Sequence, residues 1–274
     1  MLTKIEARNL QGSLLTLSLL DISEGISVED VQGLDPVKAT LVYSDFAGQD
    51  LSTFQSARRD RRNIILKLGY EPDYVNTSVR DLRRRLYKWF MPKSLVRLRF
   101  YEDDGLVVDI SGRVESNDTP RFGTQDPDAT ISIVCEDSNF VDLTPRIFSA
   151  TTTSGSTTSD LTYNGSVETG FVFTLNLDRD INGFTFYNTP PDNSQRSLQF
   201  TAPMVAGDTL KISTVPGDKY AILTHAGVDN SVLYGVNPSA NWLNLFEGLN
   251  KLRVLVAGEP IPWSIAYTDK YGAL

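Results

Sequence analysis

Along much of the chain, hydrophobic and polar positions alternate with a period of two, the signature of half-buried strands. Leu14-Leu15-Thr16-Leu17-Ser18-Leu19 alternates in this way. Residues 37–43 are apolar and β-branched after an Asp35-Pro36 turn. Ile64, Leu66 and Leu68 share one face of a further strand, with Ile65 and Lys67 on the other. Strands are predicted at 94–101 and 106–114, joined by Asp103-Asp104-Gly105, whose Asp-Gly pair supplies the positive φ of a tight hairpin. A strand at 129–135 closes this part.

The period changes once. Val79, Leu82, Leu86 and Phe90, with Trp89 beside them, make one apolar stripe and predict a helix over 78–90. Thr77 or Ser78 caps its start, and Pro92 stops it. Such a helix is about 20 Å long, enough to cross one face of a sheet and pack on it by that stripe.

Residues 149–159 are small and polar with no apolar period, and read as an exposed connector near a domain junction. Beyond them short strands recur at 170–177, 183–187, 197–201, 209–214, 220–223, 251–256 and 264–267. Asn164-Gly165, Asn182-Gly183 and Pro216-Gly217-Asp218 mark turns. Many short strands at this spacing predict a β-sandwich of jelly-roll type. The expected architecture is mainly β: an N-terminal β-rich domain over 1–145 with one packed α-helix, and a C-terminal β-sandwich domain over 146–274.

Length and composition fit two domains of ordinary size or one large β domain: 274 residues, 41% hydrophobic and 22% charged. The net charge of −8 argues against nucleic acid or an anionic membrane as partner of the chain as a whole. With one cysteine, Cys135, no intrachain disulfide can form, and its place in the run Ile131-Ser132-Ile133-Val134-Cys135 predicts a buried, inert thiol. Stability by packing alone suits assembly in a reducing cytoplasm. No apolar run reaches the length of a membrane span. The stretch 14–20, interrupted by Thr16 and Ser18 and followed by Asp21, reads as a strand and not a signal-peptide core.

Candidate chemistry is sparse. His225 is the one histidine, and no G-x-S-x-G motif accompanies it, so it reads as a surface or packing residue. Zinc sites built from His and Cys are excluded by count. Asp178-Arg179-Asp180-Ile181-Asn182-Gly183 matches a calcium loop only in part and lacks the acidic twelfth residue, so it reads as a turn with Asp–Arg pairing. Asp103-Asp104 lies in a hairpin turn and Glu136-Asp137 follows a strand, which gives little support to a glycosidase pair. No phosphate-binding glycine loop occurs. The expectation is no catalytic residue, no cofactor and no metal. Two competing readings are an enzyme and a carbohydrate-binding module using Trp242 and Trp263 as platforms, against a core role for both.

Basic residues cluster in Arg58-Arg59-Asp60-Arg61-Arg62, and in Arg80, Arg83, Arg84, Arg85 and Lys88. Arg80, Arg84 and Lys88 stand at i, i+4 and i+8 and form one ridge opposite the apolar stripe. A solvated helix face and a nucleic-acid patch are weighed against a protein–protein contact, which is preferred because arginine pairs bidentately with carboxylates. The candidate subunit or partner interface is therefore Arg58, Arg59, Arg61, Arg62, Arg80, Arg84 and Lys88.

Several stretches resemble the distal tail proteins of long-tailed phages and prophages. In the N-terminal half these are Gly33-Leu34-Asp35-Pro36-Val37-Lys38-Ala39-Thr40-Leu41, then Arg62-Asn63-Ile64-Ile65-Leu66-Lys67-Leu68, then Val79-Arg80-Asp81-Leu82-Arg83-Arg84-Arg85-Leu86-Tyr87. Trp242-Leu243-Asn244-Leu245-Phe246-Glu247-Gly248-Leu249-Asn250 is similar to that family's leucine, turn-glycine, asparagine lead into a late strand, and Ile265-Ala266-Tyr267-Thr268-Asp269-Lys270-Tyr271 fits its ending. The resemblance implies an N-terminal domain that forms a ring, usually hexameric, joining the tail tube protein to the tail tip or hub protein. It also implies a galectin-like C-terminal sandwich that docks receptor-binding or baseplate proteins, a virion location, and DNA passing through the lumen without specific binding. From size alone, a domain about 37 Å across would leave a six-membered ring with a hole of similar width. A lumen crossed by DNA should not grip it, so the Arg80/Arg84/Lys88 ridge is expected to face a neighbour and not the hole.

Overall fold

The structure is a computed structural model that describes residues 1–19, 21, 25–46, 52–119 and 128–274; Leu20, part of the stretch read above as a strand, lies outside them. The chain forms two compact units, Met1–Leu143 with Tyr271–Leu274, and Thr144–Lys270. The fold is mainly β, with one α-helix among the described residues.

The first unit is a rolled sheet. Its strands are β1 (Leu2–Asn9), β2 (Leu14–Ser18), β3 (Ile26–Gln32), a separate pair β4 (Ala39–Asp45) and β5 (Ser52–Arg59), β6 (Arg62–Tyr70), then, after the helix, β7 (Leu95–Glu102), β8 (Val107–Asp118), β9 (Asp128–Cys135) and the short β10 (Phe140–Asp142). The order is β2-β1-β7-β8-β9-β6-β3, antiparallel throughout, with β10 added to β8. β2 and β3, at the two ends of this order, approach each other, so the sheet curls around its apolar face. Alternation puts Ile64, Leu66 and Leu68 inside with Ile5, Leu98, Phe100 and Ile131, and Ile65 and Lys67 outside.

Helix α1 (Val79–Tyr87) is shorter than the predicted 78–90, because Ser78 is its N-cap and Lys88 its C-cap. Trp89 and Phe90 lie past its end and are still buried. It does not cross the sheet face. Leu82 lies over Gly25 at the start of β3, where an added Cβ would come within 3.1 Å of it. The Trp89 Nε1–H donates to Ser13 O between β1 and β2 at 3.0 Å, and Asn117 Nδ2 near the end of β8 donates to Phe90 O at 3.0 Å. The helix thus closes one end of the rolled sheet, and its apolar stripe completes the core.

The second unit is a two-layer sandwich. Its strands are β11 (Arg146–Thr151), β12 (Ser159–Tyr163), β13 (Phe171–Asn176), β14 (Phe184–Thr189), β15 (Arg196–Phe200), β16 (Thr209–Ser213), β17 (Tyr220–His225), β18 (Val228–Ser231), β19 (Gly248–Leu255) and β20 (Pro262–Tyr267). One sheet runs β11-β20-β13-β16-β17-β18 and the other β12-β19-β14-β15. Inward residues of the two sheets meet in an aromatic core: the Phe173 ring lies 5.0 Å from Phe186 and 6.0 Å from Trp263. The connector expected at 149–159 is largely structured. Residues 146–151 pair with β20 as an edge strand, Thr153 bridges to Leu255, and Thr152 is buried with its Oγ1 accepting the Ile261 N–H at 2.8 Å. The strand pairs its backbone to the sheet edge and alternates: Phe148 and Ala150 pack half-buried against the sandwich core, with the Phe148 ring 5.9 Å from Trp263, while Ile147, Ser149 and Thr151 are exposed.

Asn250 explains the late motif physically. It is fully buried; its Nδ2 donates to Phe246 O at 2.7 Å and Gly248 O at 3.0 Å, and its Oδ1 accepts from Phe246 N at 3.1 Å and from Asn188 Nδ2 at 3.2 Å. One amide side chain satisfies the backbone of the turn before β19.

Candidate functional site

The β4–β5 pair leaves the rolled sheet between the end of β3 and the start of β6 and stands as a separate two-stranded ribbon. Its register sets Leu41 opposite Ala57 and Tyr43 opposite Phe54, with a bulge after Val42. Paired residues share a face, so Leu41, Tyr43, Phe54 and Ala57 form one apolar side, and Tyr43 meets Phe54 edge-on at 5.8 Å. Leu41, Tyr43 and Phe54 are each at least half exposed, and neither face of the ribbon is covered by its own unit. A lone two-stranded ribbon is marginal in water, and a flat apolar one invites pairing. β4 was legible from 37–43; β5 was not, because Ser52-Thr53-Phe54-Gln55-Ser56-Ala57-Arg58-Arg59 has no buried face to impose alternation.

The candidate arginines separate into three situations. Arg62 is a correction: it is 0% exposed and does not belong to a surface cluster. Its guanidinium donates to Ser138 O at 2.8 Å, Asp35 O at 2.8 Å, Gly272 O at 2.5 Å and to Gly33 O, and it lies 4.4 Å from the centre of the Phe140 ring. Burial pushes its pKa below the ordinary arginine value. It ties the foot of the ribbon and the last residues of the chain to the start of β6. Gly33, one of its acceptors, has φ +87°, and a Cβ there would fall 2.0 Å from Asn63 O.

Arg58, Arg59 and Arg61 are exposed at the foot of the ribbon and line, with Asp60, Glu136 and Ser138, a polar cleft of about 460 Å³. Arg80, Arg84 and Lys88 are exposed along the outer side of α1, as their spacing requires. The two groups are not brought together: one lies at the start of β6, the other beyond its end, roughly 27 Å apart along a nine-residue strand.

The turn between β6 and α1 is held by one carboxylate. Asp73 Oδ1 accepts the N–H groups of Val75 at 3.1 Å, Asn76 at 2.9 Å and Thr77 at 2.7 Å, and Asp73 Oδ2 accepts from Asn76 Nδ2 at 3.0 Å. These hydrogen bonds, first that from Thr77, hold the Asp73 carboxyl well below the usual range. Next to it, Ser78 Oγ accepts the Asp81 N–H at 3.3 Å and Asp81 Oδ2 accepts the Ser78 N–H at 3.2 Å, a capping box that starts α1.

Elsewhere, Cys135 is buried, and burial pushes its thiol up to about 11. His225 is exposed at the end of β17, with Nδ1 2.7 Å from Oδ1 of buried Asp208. Arg179 does not pair with its neighbouring aspartates: its Nη2 donates to Ala257 O at 2.6 Å and Glu259 O at 2.9 Å, while Asp180 Oδ1 accepts from Ala206 N at 2.8 Å. An open cleft of about 790 Å³ beside them brings together Asp180, Asn182, Thr185 and Gln199 but no nucleophile–base pair. Among the described residues, no group of three His, Cys, Asp or Glu side chains could hold a metal ion. Trp263 is buried in the core, and Trp242 is half-buried with the Lys219 ammonium 5.0 Å from its ring centre.

No family model and no curated protein matches the chain. Among solved structures it is similar to the SPP1 Dit (gp 19.1) protein, described as a paradigm of the hub adsorption apparatus in phages infecting Gram-positive hosts, with a TM-score of 0.66 and 13% identity over 97% of this chain and 98% of that one. It also aligns with a chain of the phage P2 baseplate in its activated conformation with Ca, with a TM-score of 0.47 and 10% identity over 100% of both chains. The first likeness shows that the chain has the fold of a phage hub protein over nearly its whole length.

Proposed function

We propose that the protein is a structural distal tail protein of a phage: copies close into a ring, hexameric in the form the family resemblance implies, that joins the tail tube protein to the tail tip or hub protein. The observation that carries this reading is the β4–β5 ribbon, whose apolar side is left bare by its own unit, on a chain with a phage hub protein's fold. A ring of identical copies covers such a ribbon by heterologous contact. The second unit is the arm that docks receptor-binding or baseplate proteins, and DNA crosses the lumen without being gripped. The location is the tail tip of the virion, after assembly in the host cytoplasm. The part of this chain is to hold neighbours, with no catalytic role.

The test is native mass of the purified full-length chain, followed by electron microscopy of the particles. A closed ring supports the reading, and a monomer at all concentrations sinks it. Arg84→Glu is expected to lower the ring fraction while leaving the monomer folded; Arg80, Arg84 and Lys88 bare in the lumen of an imaged ring would contradict their assignment to a neighbour contact.

A further inference from the structure

The second unit carries a cleft that the ring reading does not use. It holds about 790 Å³ and opens on the outer face of the sheet formed by β12, β19, β14 and β15. Register places Thr185 of β14 opposite both Gln199 of β15 and Leu255 of β19, while their chain neighbours Phe184, Phe200 and Val254 are buried in the core. Asp180, Asn182 and Thr201 are exposed along its walls.

The walls are fixed before any ligand arrives. Arg179 Nη2 donates to Ala257 O at 2.6 Å and Glu259 O at 2.9 Å, and Gly258 packs so closely on that guanidinium that an added Cβ would lie 3.1 Å from Cζ. Asp180 Oδ1 accepts the Ala206 N–H at 2.8 Å. Gln199 Oε1 accepts from Asn237 Nδ2 at 3.0 Å, which leaves the Gln199 Nε2 hydrogens for a ligand. Little ordering remains to be done on binding.

We infer that this cleft binds a neutral saccharide chain. The lining selects that class. Gln199, Asn182, Thr185, Thr201 and Asp180 mix donors with acceptors, as sugar hydroxyls require, each being both. Leu255 gives an apolar floor for the C–H face of a sugar ring. A phosphate-bearing polymer does not fit, because Arg179 Nη2 is spent on two carbonyls and the Asp180 carboxylate repels an anion. An added peptide strand does not fit either, because the edge of β15 is taken. There Thr201 N–H donates to Gly235 O at 2.8 Å, Asn237 N–H to Gln199 O at 2.9 Å and Asn241 N–H to Ser197 O at 3.0 Å. Two residues along β14 on the same face, Tyr187 has the Arg253 guanidinium 4.3 Å from its ring centre. The polar surface thus continues about 7 Å past Thr185, room for a further sugar unit.

The experiment is saturation-transfer difference NMR of the full-length chain in its native particle. The probes are maltotriose, chitotriose, mannotriose and galactotriose, with glycerol phosphate oligomers as the anionic comparison. The expected result is binding of at least one trisaccharide, with the matching monosaccharide at least fivefold weaker. Gln199→Ala is expected to weaken that binding about tenfold, the worth of one hydrogen bond. Thr185→Trp fills the cleft and abolishes binding. Both variants keep the wild-type melting temperature, and Val228→Asp, on an exposed strand away from the cleft lining, binds as the wild type does. No signal from any neutral probe, a signal that survives both cleft variants, or a response to glycerol phosphate oligomers alone overturns the inference. So does an imaged virion tail in which a baseplate protein covers the cleft. A monomer that binds the sugar would sink the ring reading and leave this one standing.

Discussion

Replacing Arg62 by Ala is expected to unfold the first unit at much lower temperature, whereas Arg61→Ala next to it has almost no effect. The difference comes from burial. Arg62 is fully enclosed and donates to four main-chain carbonyls, those of Gly33, Asp35, Ser138 and Gly272, while Arg61 is exposed. Removing the side chain leaves these acceptors without their donor and opens a cavity beside Phe140. An orphaned buried acceptor costs about 1–3 kcal/mol. Water entering the cavity offsets part of that, so the net loss is about 3–5 kcal/mol. For a unit of this size, about 2–4 °C is lost per kcal/mol, which gives a fall of roughly 6–20 °C. Arg61→Ala should stay within about 0.5 kcal/mol. Arg62→Lys should recover only part of the loss, because one ammonium cannot span four carbonyls. Scanning calorimetry of the three variants is the assay. A loss below about 1 kcal/mol for Arg62→Ala would refute the idea that this guanidinium joins the ribbon foot to β6.

Three further outcomes follow from the geometry. Cys135, buried and with its thiol pushed up to about 11, should resist a disulfide-exchange reagent at pH 8 and react only in denaturant; rapid labelling of the native chain would contradict its position. Because the folded Asp73 carboxyl is held below its unfolded value, its contribution is complete above the ordinary aspartate range near pH 3.9 and is lost as pH falls through the folded value. Amide exchange at Val75, Asn76 and Thr77 should therefore lose protection on acidification below that range, and Asp73→Ala should remove the protection at every pH. Asn250→Ala should destabilise the second unit by about 2–4 kcal/mol, read by chemical denaturation, because the backbone at Phe246 and Gly248 loses its buried partner.

Local chemistry alone determined a good part of this protein. The period-two runs name the strands, since a side chain on a half-covered sheet has only two directions to point. The stripe through Val79, Leu82, Leu86 and Phe90 names the helix α1, and Asp103-Asp104-Gly105 names a tight turn, where Gly105 takes φ +88°. What only the tertiary structure decided concerns residues whose surroundings come from far along the chain. Arg61 and Arg62 are adjacent and chemically identical, yet Arg62 meets carbonyls from residues 33, 35, 138 and 272 and is buried, while Arg61 is exposed. β5 carries no apolar alternation because no layer of its own unit lies against it, and residues 146–151 form a strand because β20 offers them an edge and the sandwich core takes up Phe148 and Ala150. Periodicity records which face of a segment is covered; it is silent where both faces are open or where a distant backbone supplies the partner.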